Sequence, residues 1–192
     1  MRILKCLAPT ILLTCCQPSY KQNTFTPQNS EPAAQSQYHE EIAREEFERK
    51  HGGTIPNHPS LSRLESMLSK FQIPNTKVSV LNTYHSNAYV LRTGHVYFTK
   101  GVLNDVDSEE GIASLMAHEL SHLDDPENFA PEKTFEEKLE IEVKADLGAT
   151  ALLLKNGYNP EAIIKLLNCL KEQPEGWPEA RISRIKKHLN IQ

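Results

Sequence analysis

The feature that most constrains this chain is an HExxH sequence at residues 118–122, inside an apolar run of helical period that covers residues 112–123. Because residues four apart lie on the same face of a helix, the imidazoles of His118 and His122 are predicted to project side by side and to share one metal ion. Glu119 follows the first histidine, so its carboxylate is near the metal but free to act as a base on a metal-activated water. The sequence therefore predicts a helix that carries two metal ligands and a base.

A second pair of residues with the same spacing, Glu142 and Asp146, lies on another predicted helix. A hydrolytic zinc site has three protein ligands and one open position, so two histidines are an incomplete set. We predict Glu142 as the third ligand, and Asp146 as the carboxylate that accepts a hydrogen bond from a ligating histidine. The alternative is that both belong to a solvated helix face. Small residues in the same segment, Ala145 and Gly148, make it packable and favour the metal site.

The two motifs resemble the gluzincin class of zinc peptidases, and the flanking sequence is similar to metallopeptidase family forty-eight, in particular its small periplasmic lipoprotein members of the BepA and LoiP type. The resemblance implies an α+β fold, a mainly helical zincin-type (gluzincin) metallopeptidase domain with a small three-stranded sheet beside the HExxH helix. It also implies one Zn²⁺ per chain. The further segments that carry the resemblance are Asn87-Ala88-Tyr89, residues 94–103 and residues 156–162.

Alternating apolar residues predict three short strands. The resemblance implies that one of them pairs with the extended backbone of a substrate, with Asn87, Ala88 and Tyr89 in the binding position. Strand addition holds any sequence through main-chain hydrogen bonds, while pockets select alternate side chains. The alternative is an ordinary edge strand. The strands are predicted at residues 77–82, 87–91 and 95–99.

The terminal helix carries two basic candidates. Arg181 and Arg184 are candidates for stabilising a developing oxyanion, because a cation near the zinc would supply that charge; the alternative for each is a surface position. Relatives in the family often have a His-Pro pair before this helix, whose histidine can approach the zinc. Here that histidine is missing, so self-inhibition is either absent or provided by another group. Helices are predicted at residues 38–50, 61–71, 109–123, 135–156, 160–170 and 178–189.

The N-terminal segment predicts export and lipidation. Residues 1–16 combine early basic residues, an apolar stretch and a lipobox-like end, a signal-peptide pattern too short to span a bilayer. We predict Cys16, or alternatively Cys15, as the lipidated residue; a plain secretory signal is the alternative. By resemblance to known sorting signals, the residue after Cys16 favours the outer membrane. Residues 17–37 are poor in apolar residues and are interpreted as a flexible tether, followed by the zinc metallopeptidase domain at residues 38–192.

Charge and the resemblance together define the predicted function. The formal net charge of -4 and the dispersed Lys and Arg argue against nucleic acid as a partner. The resemblance implies a zinc-dependent endopeptidase on the periplasmic side of the bacterial envelope, lipid-anchored to the membrane, that cleaves misfolded or stalled envelope proteins. One alternative is a periplasmic chaperone or adaptor that grips exposed strands, with hydrolysis secondary. The other is a helical lipoprotein in which the HExxH sequence is coincidental.

Overall fold

Along the described chain, two α-helices are followed by a small three-stranded sheet and then by five more α-helices. The predicted α+β class, mainly helical with three strands, is confirmed. The computed structural model describes residues 33–130, 133–169 and 174–191. In this part of the chain the elements are α1 (Ala33–Lys50), α2 (Leu61–Phe71), β1 (Lys77–Leu81), β2 (Ala88–Val90), β3 (His95–Thr99), α3 (Lys100–Asp105), α4 (Glu109–Ser121), α5 (Phe135–Lys155), α6 (Ala162–Cys169) and α7 (Trp177–Leu189).

The central strand of the sheet is β3, with β1 parallel on one side and β2 antiparallel on the other. Each observed strand lies within its predicted range. Gly94 lies in the turn between β2 and β3 with a φ of +82°, and a Cβ there would lie 2.6 Å from the carbonyl oxygen of Asn75, so this position requires glycine. Because β2 ends the strand order, no other described strand pairs with its outer side.

The HExxH helix α4 is the centre of the core and is buried on every side. All residues from Ile112 to Ser121 are buried, since the helix contacts α2, α5, α6, β2 and β3. A surface helix has an apolar stripe and a polar face, whereas a helix of this kind has none of its faces in water. Buried polar groups cost free energy unless each has a partner. Ser114 and Ser121 donate to carbonyl oxygens of α4 itself, whereas His118 finds a partner on α5.

Side-chain caps fix the start of both helices that carry predicted ligands. At α4, Ser108 Oγ accepts a hydrogen bond from the Gly111 N–H at 3.1 Å. At α5, Thr134 and Glu137 form a capping box. The Glu137 N–H donates to Thr134 Oγ1 at 3.2 Å and the Thr134 N–H donates to Glu137 Oε2 at 2.7 Å. The first residue of each of the two helices is thus determined by local sequence.

Two predicted boundaries are wrong. Helix α4 ends at Ser121, where a 3-10 turn, His122–Asp124, begins. Helix α1 includes residues 33–37, which were predicted as the end of the tether. The predicted lipidation residues, Cys15 and Cys16, lie outside the described residues, as do the signal segment and most of the tether. Within the described ranges, no helix combines the length and the apolar character that crossing a membrane needs.

A small aromatic and charged cluster attaches α1 to the sheet. The ring of Phe47 packs against the rings of Tyr97 and Tyr89, with centroids 5.2 and 5.4 Å apart. Glu48 Oε1 accepts hydrogen bonds from the hydroxyl of Tyr97 at 2.7 Å and from Arg44 Nη1 at 2.8 Å. We call these five residues the outer cluster. Its apolar members are separate from the main core between the sheet and the other helices.

Candidate metal centre

The two histidines of the HExxH sequence meet inside the core. His118 and His122 are 1% and 0% exposed. Their rings are perpendicular, with centroids 4.8 Å apart and Nε2 atoms 3.2 Å apart. The four-residue spacing thus brings both imidazoles to one point, as predicted. Two ring nitrogens at this distance need a proton or a cation between them.

Helix α5 lies close enough to α4 to bring Glu142 to the histidines. Gly148 permits this approach, because a Cβ there would lie 2.7 Å from Ser121 Oγ and 2.9 Å from Ser121 Cβ. Glu142 Oε2 is 3.3 Å from His118 Nε2, and Glu142 Oε1 is 3.8 Å from His122 Nε2. The structure therefore brings the three predicted ligands together, and their ligand atoms all lie within 4.8 Å of one another.

The spacing of these donor atoms fits a tetrahedral metal ion. Zinc binds nitrogen and oxygen at about 2.0–2.2 Å, and a tetrahedral arrangement then separates neighbouring ligand atoms by about 3.4 Å. The separations between the two Nε2 atoms, 3.2 Å, and between His118 Nε2 and Glu142 Oε2, 3.3 Å, are close to that value, and the 3.8 Å separation from His122 Nε2 is to the other carboxylate oxygen, Oε1. Two imidazoles and one carboxylate, with a fourth position open, are a donor set of catalytic zinc sites. In the described part of the chain, no other group of three His, Cys, Asp or Glu residues has this proximity.

Asp146 orients one of the two histidines. Its Oδ1 accepts a hydrogen bond from His118 Nδ1 at 3.0 Å, which is the contact predicted for it. The bond assigns the proton of neutral His118 to Nδ1 and leaves Nε2 as the ligating nitrogen. His122 has no equivalent support, since its buried Nδ1 has no hydrogen-bond partner among the described residues. The two predicted ligands are therefore held unequally.

The terminal helix α7 contributes a buried cation. Arg181 is 1% exposed. Its Nε donates to Asp146 Oδ2 at 2.7 Å and its Nη2 donates to Asp146 Oδ1 at 2.8 Å. Its Nη1 lies 3.2 Å from Glu142 Oε2. The guanidinium thus faces two carboxylates of α5, and the oxyanion role predicted for it stays a prediction.

The other candidate on α7, Arg184, is not brought to the ligands. It is 55% exposed and its Nη2 lies 3.2 Å from Oε1 of the similarly exposed Glu140, which is the surface position given as the alternative to an oxyanion role. The sequence does contain a signal that separates the two arginines. The buried residues of α7 are Trp177, Arg181 and Ile185, at four-residue steps. An arginine in the middle of an apolar stripe indicates a buried partner for its charge.

The charges around the ligands favour a cation. Burial lowers the pKa of His118, but hydrogen bonds to Asp146 and Glu142 and their charges outweigh burial and raise it to about 10. Burial lowers the pKa of His122 to about 4. Burial also acts to raise the pKa of Glu142, but the Arg181 charge and the neighbouring imidazoles lower it to about 2. The carboxylates therefore hold a positive charge at this point, whether it is a proton or a metal ion.

Glu119 lies beside the ligands with one oxygen unused. Its side chain is 1% exposed, and its Oε2 has no hydrogen-bond partner in the described ranges. Burial raises the pKa of Glu119 to about 7; the charge of His118 opposes this increase and that of Glu142 adds to it. A carboxyl group with a pKa near the working pH can both accept and return a proton. The arrangement thus provides the chemistry of a general base.

The predicted substrate strand is at the edge of the sheet, but its outward groups differ from those predicted. The Asn87 N–H donates to Thr99 Oγ1 and its carbonyl oxygen accepts from the Thr99 N–H, both at 3.0 Å. Because alternate residues of an antiparallel ladder face the partner strand, Asn87 and Tyr89 face β3, while Ala88 and Val90 direct their main-chain groups outward. Ala88 keeps its predicted position, and Val90 was missed although a two-residue period includes it.

The centre is closed in this conformation. Glu142 is 4% exposed, Ala88 is 3% exposed and Val90 is 4% exposed. The Ala88 N–H also donates to Asn87 Oδ1 at 2.9 Å. A peptide therefore needs a local movement of the chain to reach the ligands and the outer side of β2.

Comparison with known proteins agrees with the site. Residues 58–129 match the family model described as Peptidase family M48. The matched span includes the whole sheet and α4, with His118, Glu119 and His122, whereas the α5 and α7 members of the centre lie beyond it. The comparison with curated proteins gave no match.

Proposed function

We propose that the chain is a zinc endopeptidase of the bacterial cell envelope, because residues 58–129 match Peptidase family M48, whose members are zinc-dependent metallopeptidases. The observation that carries the proposal is the convergence of His118, His122 and Glu142, whose ligand atoms lie within 4.8 Å of one another. These three side chains would hold one Zn²⁺ per chain. Asp146 would fix the ligating tautomer of His118 through the observed hydrogen bond.

The reaction is hydrolysis of a peptide bond by water. When bound, zinc supplies Lewis acidity to a water molecule and to the scissile carbonyl. Glu119 takes the proton of that water as it attacks the carbonyl carbon, and returns the proton to the leaving amine as the C–N bond breaks. The buried position of Glu119 and its pKa near neutrality support this role.

We further propose that the substrate is an extended segment that adds to β2. The outward main-chain groups of Ala88 and Val90 would pair with it after the cleft opens, and such pairing holds any sequence in an extended conformation. Folded proteins rarely offer a free extended segment, so this mode of binding selects unfolded chains. Misfolded or stalled envelope proteins are therefore the proposed substrates.

The proposed location follows from the N-terminal sequence. A lipid at Cys16, or at Cys15, would hold the enzyme on the periplasmic side of the envelope, in the outer membrane. The separate substitutions Cys15→Ser and Cys16→Ser identify the modified residue by mass spectrometry of the processed protein. A processed wild-type protein that carries no acyl modification would exclude the lipid anchor.

Zinc stoichiometry and chelator-sensitive cleavage of casein test the proposed activity. We expect one zinc per chain and cleavage that stops with chelator and returns with zinc. The Glu119→Gln variant should keep its zinc and lose about 10²- to 10⁴-fold in rate. A protein that binds no zinc, even after reconstitution, would end the metalloenzyme proposal, and full cleavage by Glu119→Gln would remove Glu119 from its role.

A second candidate function is that of a chaperone or adaptor that grips strands without hydrolysis. The unpaired outer side of β2 favours it, because strand addition alone gives binding. Cells that need this protein to tolerate misfolded envelope proteins separate the two candidates. Rescue by Glu119→Gln equal to that by the wild type would favour the chaperone, and failure of the variant would favour the protease.

A further inference from the structure

Arg181 connects the C-terminal helix to the metal centre through two different carboxylates. It contacts both oxygens of Asp146, at 2.7 and 2.8 Å, and approaches Glu142 Oε2 at 3.2 Å. All three residues are at most 4% exposed. One planar group therefore touches a predicted zinc ligand and the residue that orients another ligand.

The positive charge of Arg181 offsets the negative charges of two buried carboxylates. Glu142 and Asp146 lie one helical turn apart on α5 and are both buried, so their negative charges repel each other with little screening by water. Arg181 is the buried cation that α7 brings against both of them. Without a counter-charge, the two carboxylates would be expected to separate or to rotate away from the histidines.

The geometry of Arg181 adds something that charge alone does not provide. The guanidinium fork binds both oxygens of Asp146 in one plane, and this fixes the carboxylate that accepts from His118 Nδ1 at 3.0 Å. The orientation of the His118 ring is set by that bond. A lysine would supply one positive charge but could not hold two oxygens and a second carboxylate in a fixed plane.

From these contacts we propose that Arg181 is a positioning residue of the metal centre, which aligns Glu142 and, through Asp146, His118 for a divalent cation. This inference rests on the proposed function, because it takes the three side chains as zinc ligands. It places the terminal helix in the construction of the site, although α7 supplies no ligand.

The direction of the effect on zinc binding distinguishes a residue that positions the carboxylates from a cation that only lies near the site. A fixed positive charge near a zinc site repels the metal ion, so removal of a cation with no other role would leave zinc binding unchanged or make it tighter. Loss of a positioning residue weakens binding instead. Removal of an outer-shell partner typically costs about 10- to 100-fold in metal affinity.

The test measures the zinc dissociation constant of the full-length protein by competition with a chelating indicator. The variants are Arg181→Gln, Arg181→Lys, Asp146→Asn and the double variant with Arg181→Gln and Asp146→Asn. Arg184→Gln is the matched control, since it makes the same change on the same helix at an exposed position. The spectrum of bound Co²⁺ in each folded variant reports the ligand geometry directly.

We expect Arg181→Gln to weaken zinc binding about 10- to 100-fold and the control to stay within about 2-fold. Because Arg181 acts partly through Asp146, the double variant should lose less than the product of the two single losses. Arg181→Lys should fold, bind zinc more weakly than the wild type and give an altered Co²⁺ spectrum. If Arg181→Gln does not fold, the lysine variant decides.

Three results would overturn the inference while leaving the proposed function intact: unchanged or tighter zinc binding by Arg181→Gln, strictly multiplicative losses in the double variant, or wild-type affinity and spectrum for Arg181→Lys. A wild-type protein that binds no zinc would instead overturn the proposed function, and this inference with it.

Discussion

The metal centre and the outer cluster each join an arginine to a carboxylate, but they do so in different surroundings. In the metal centre, the side chains of Arg181 and Asp146 are 1% and 0% exposed. In the outer cluster, the side chains of Arg44 and Glu48 are 29% and 17% exposed. Water screens the second pair and is excluded from the first. The same kind of contact therefore attaches a helix at the surface and fixes a site in the interior.

The difference indicates which contacts the proposed chemistry depends on. A buried carboxylate has no water to replace a lost partner. Removing that partner therefore lowers the free energy of unfolding strongly, and the neighbouring side chains are affected as well. A half-exposed pair can exchange its partner for water. The following substitutions test that contrast, from the largest expected effect to the smallest.

Glu142→Ala should have the largest effect. It removes a zinc ligand and a buried partner of Arg181, so zinc affinity should fall by more than the 10- to 100-fold typical of outer-shell changes. Measured in chelator, the free energy of unfolding should fall by about 3–5 kcal/mol. Glu48→Ala, the same change in the outer cluster, should cost about 1 kcal/mol and leave zinc affinity unchanged. Equal costs in denaturant titrations would contradict the contrast.

Gly148→Ala tests whether the contact between α4 and α5 sets the spacing of the ligands. The new methyl group would lie 2.7 Å from Ser121 Oγ, so the helices must separate. We expect a loss of about 1–3 kcal/mol in unfolding free energy, and weaker zinc binding. Ala151→Ser adds one atom to an exposed position of the same helix and serves as the control. Unchanged zinc affinity in Gly148→Ala would show that ligand spacing does not depend on this contact.

Tyr97→Phe tests whether the outer cluster is independent of the metal centre. The substitution removes the hydroxyl that donates to Glu48 at 2.7 Å but keeps the ring against Phe47. Loss of this hydrogen bond should cost about 0.5–1.5 kcal/mol. Zinc affinity and proteolysis should not change. A lower zinc affinity in Tyr97→Phe would mean that α1 acts on the metal centre through the sheet, and the two regions could not be treated separately.

A pH effect at His95 should be the smallest. Burial lowers the pKa of His95 in the folded protein, where its Nε2 lies 2.9 Å from Ser79 Oγ and its ring stacks on Tyr97. The unfolded chain then binds a proton more readily than the folded chain. The corresponding stability is fully present above the unfolded pKa of about 6.5 and is lost as the pH falls through the folded pKa. The loss between pH 7.5 and 5, measured by urea unfolding, should be smaller in His95→Gln.

The two ligand-bearing helices could be predicted from sequence because their signals are local. The HExxH spacing needs only a helix to bring its histidines together, and the Thr134 capping box starts α5 from within four residues. The three strands were predicted for the same reason, since a period of two is visible in a few residues. The family match, residues 58–129, covers the three strands and α4 but ends before α5.

The role of Arg181 could not be predicted in this way. The sequence placed it on the correct helix, but nothing local shows which groups an arginine faces. Of the three residues predicted to bind a substrate strand, Asn87, Ala88 and Tyr89, only Ala88 directs its main-chain groups outward. Which side of an edge strand faces its partner depends on the register with β3.

The sequence by itself determined that two imidazoles and a carboxylate lie close together along one predicted helix, with a second acidic pair at matching spacing. Only the tertiary structure decided that Glu142 points at those imidazoles, that Gly148 lets the helices approach, and that Arg181 closes the charge balance from the end of the chain. The physical reason is that helix periodicity is set by bonds between neighbours in the chain. The balance of buried charges is set by groups that meet only when the chain has folded.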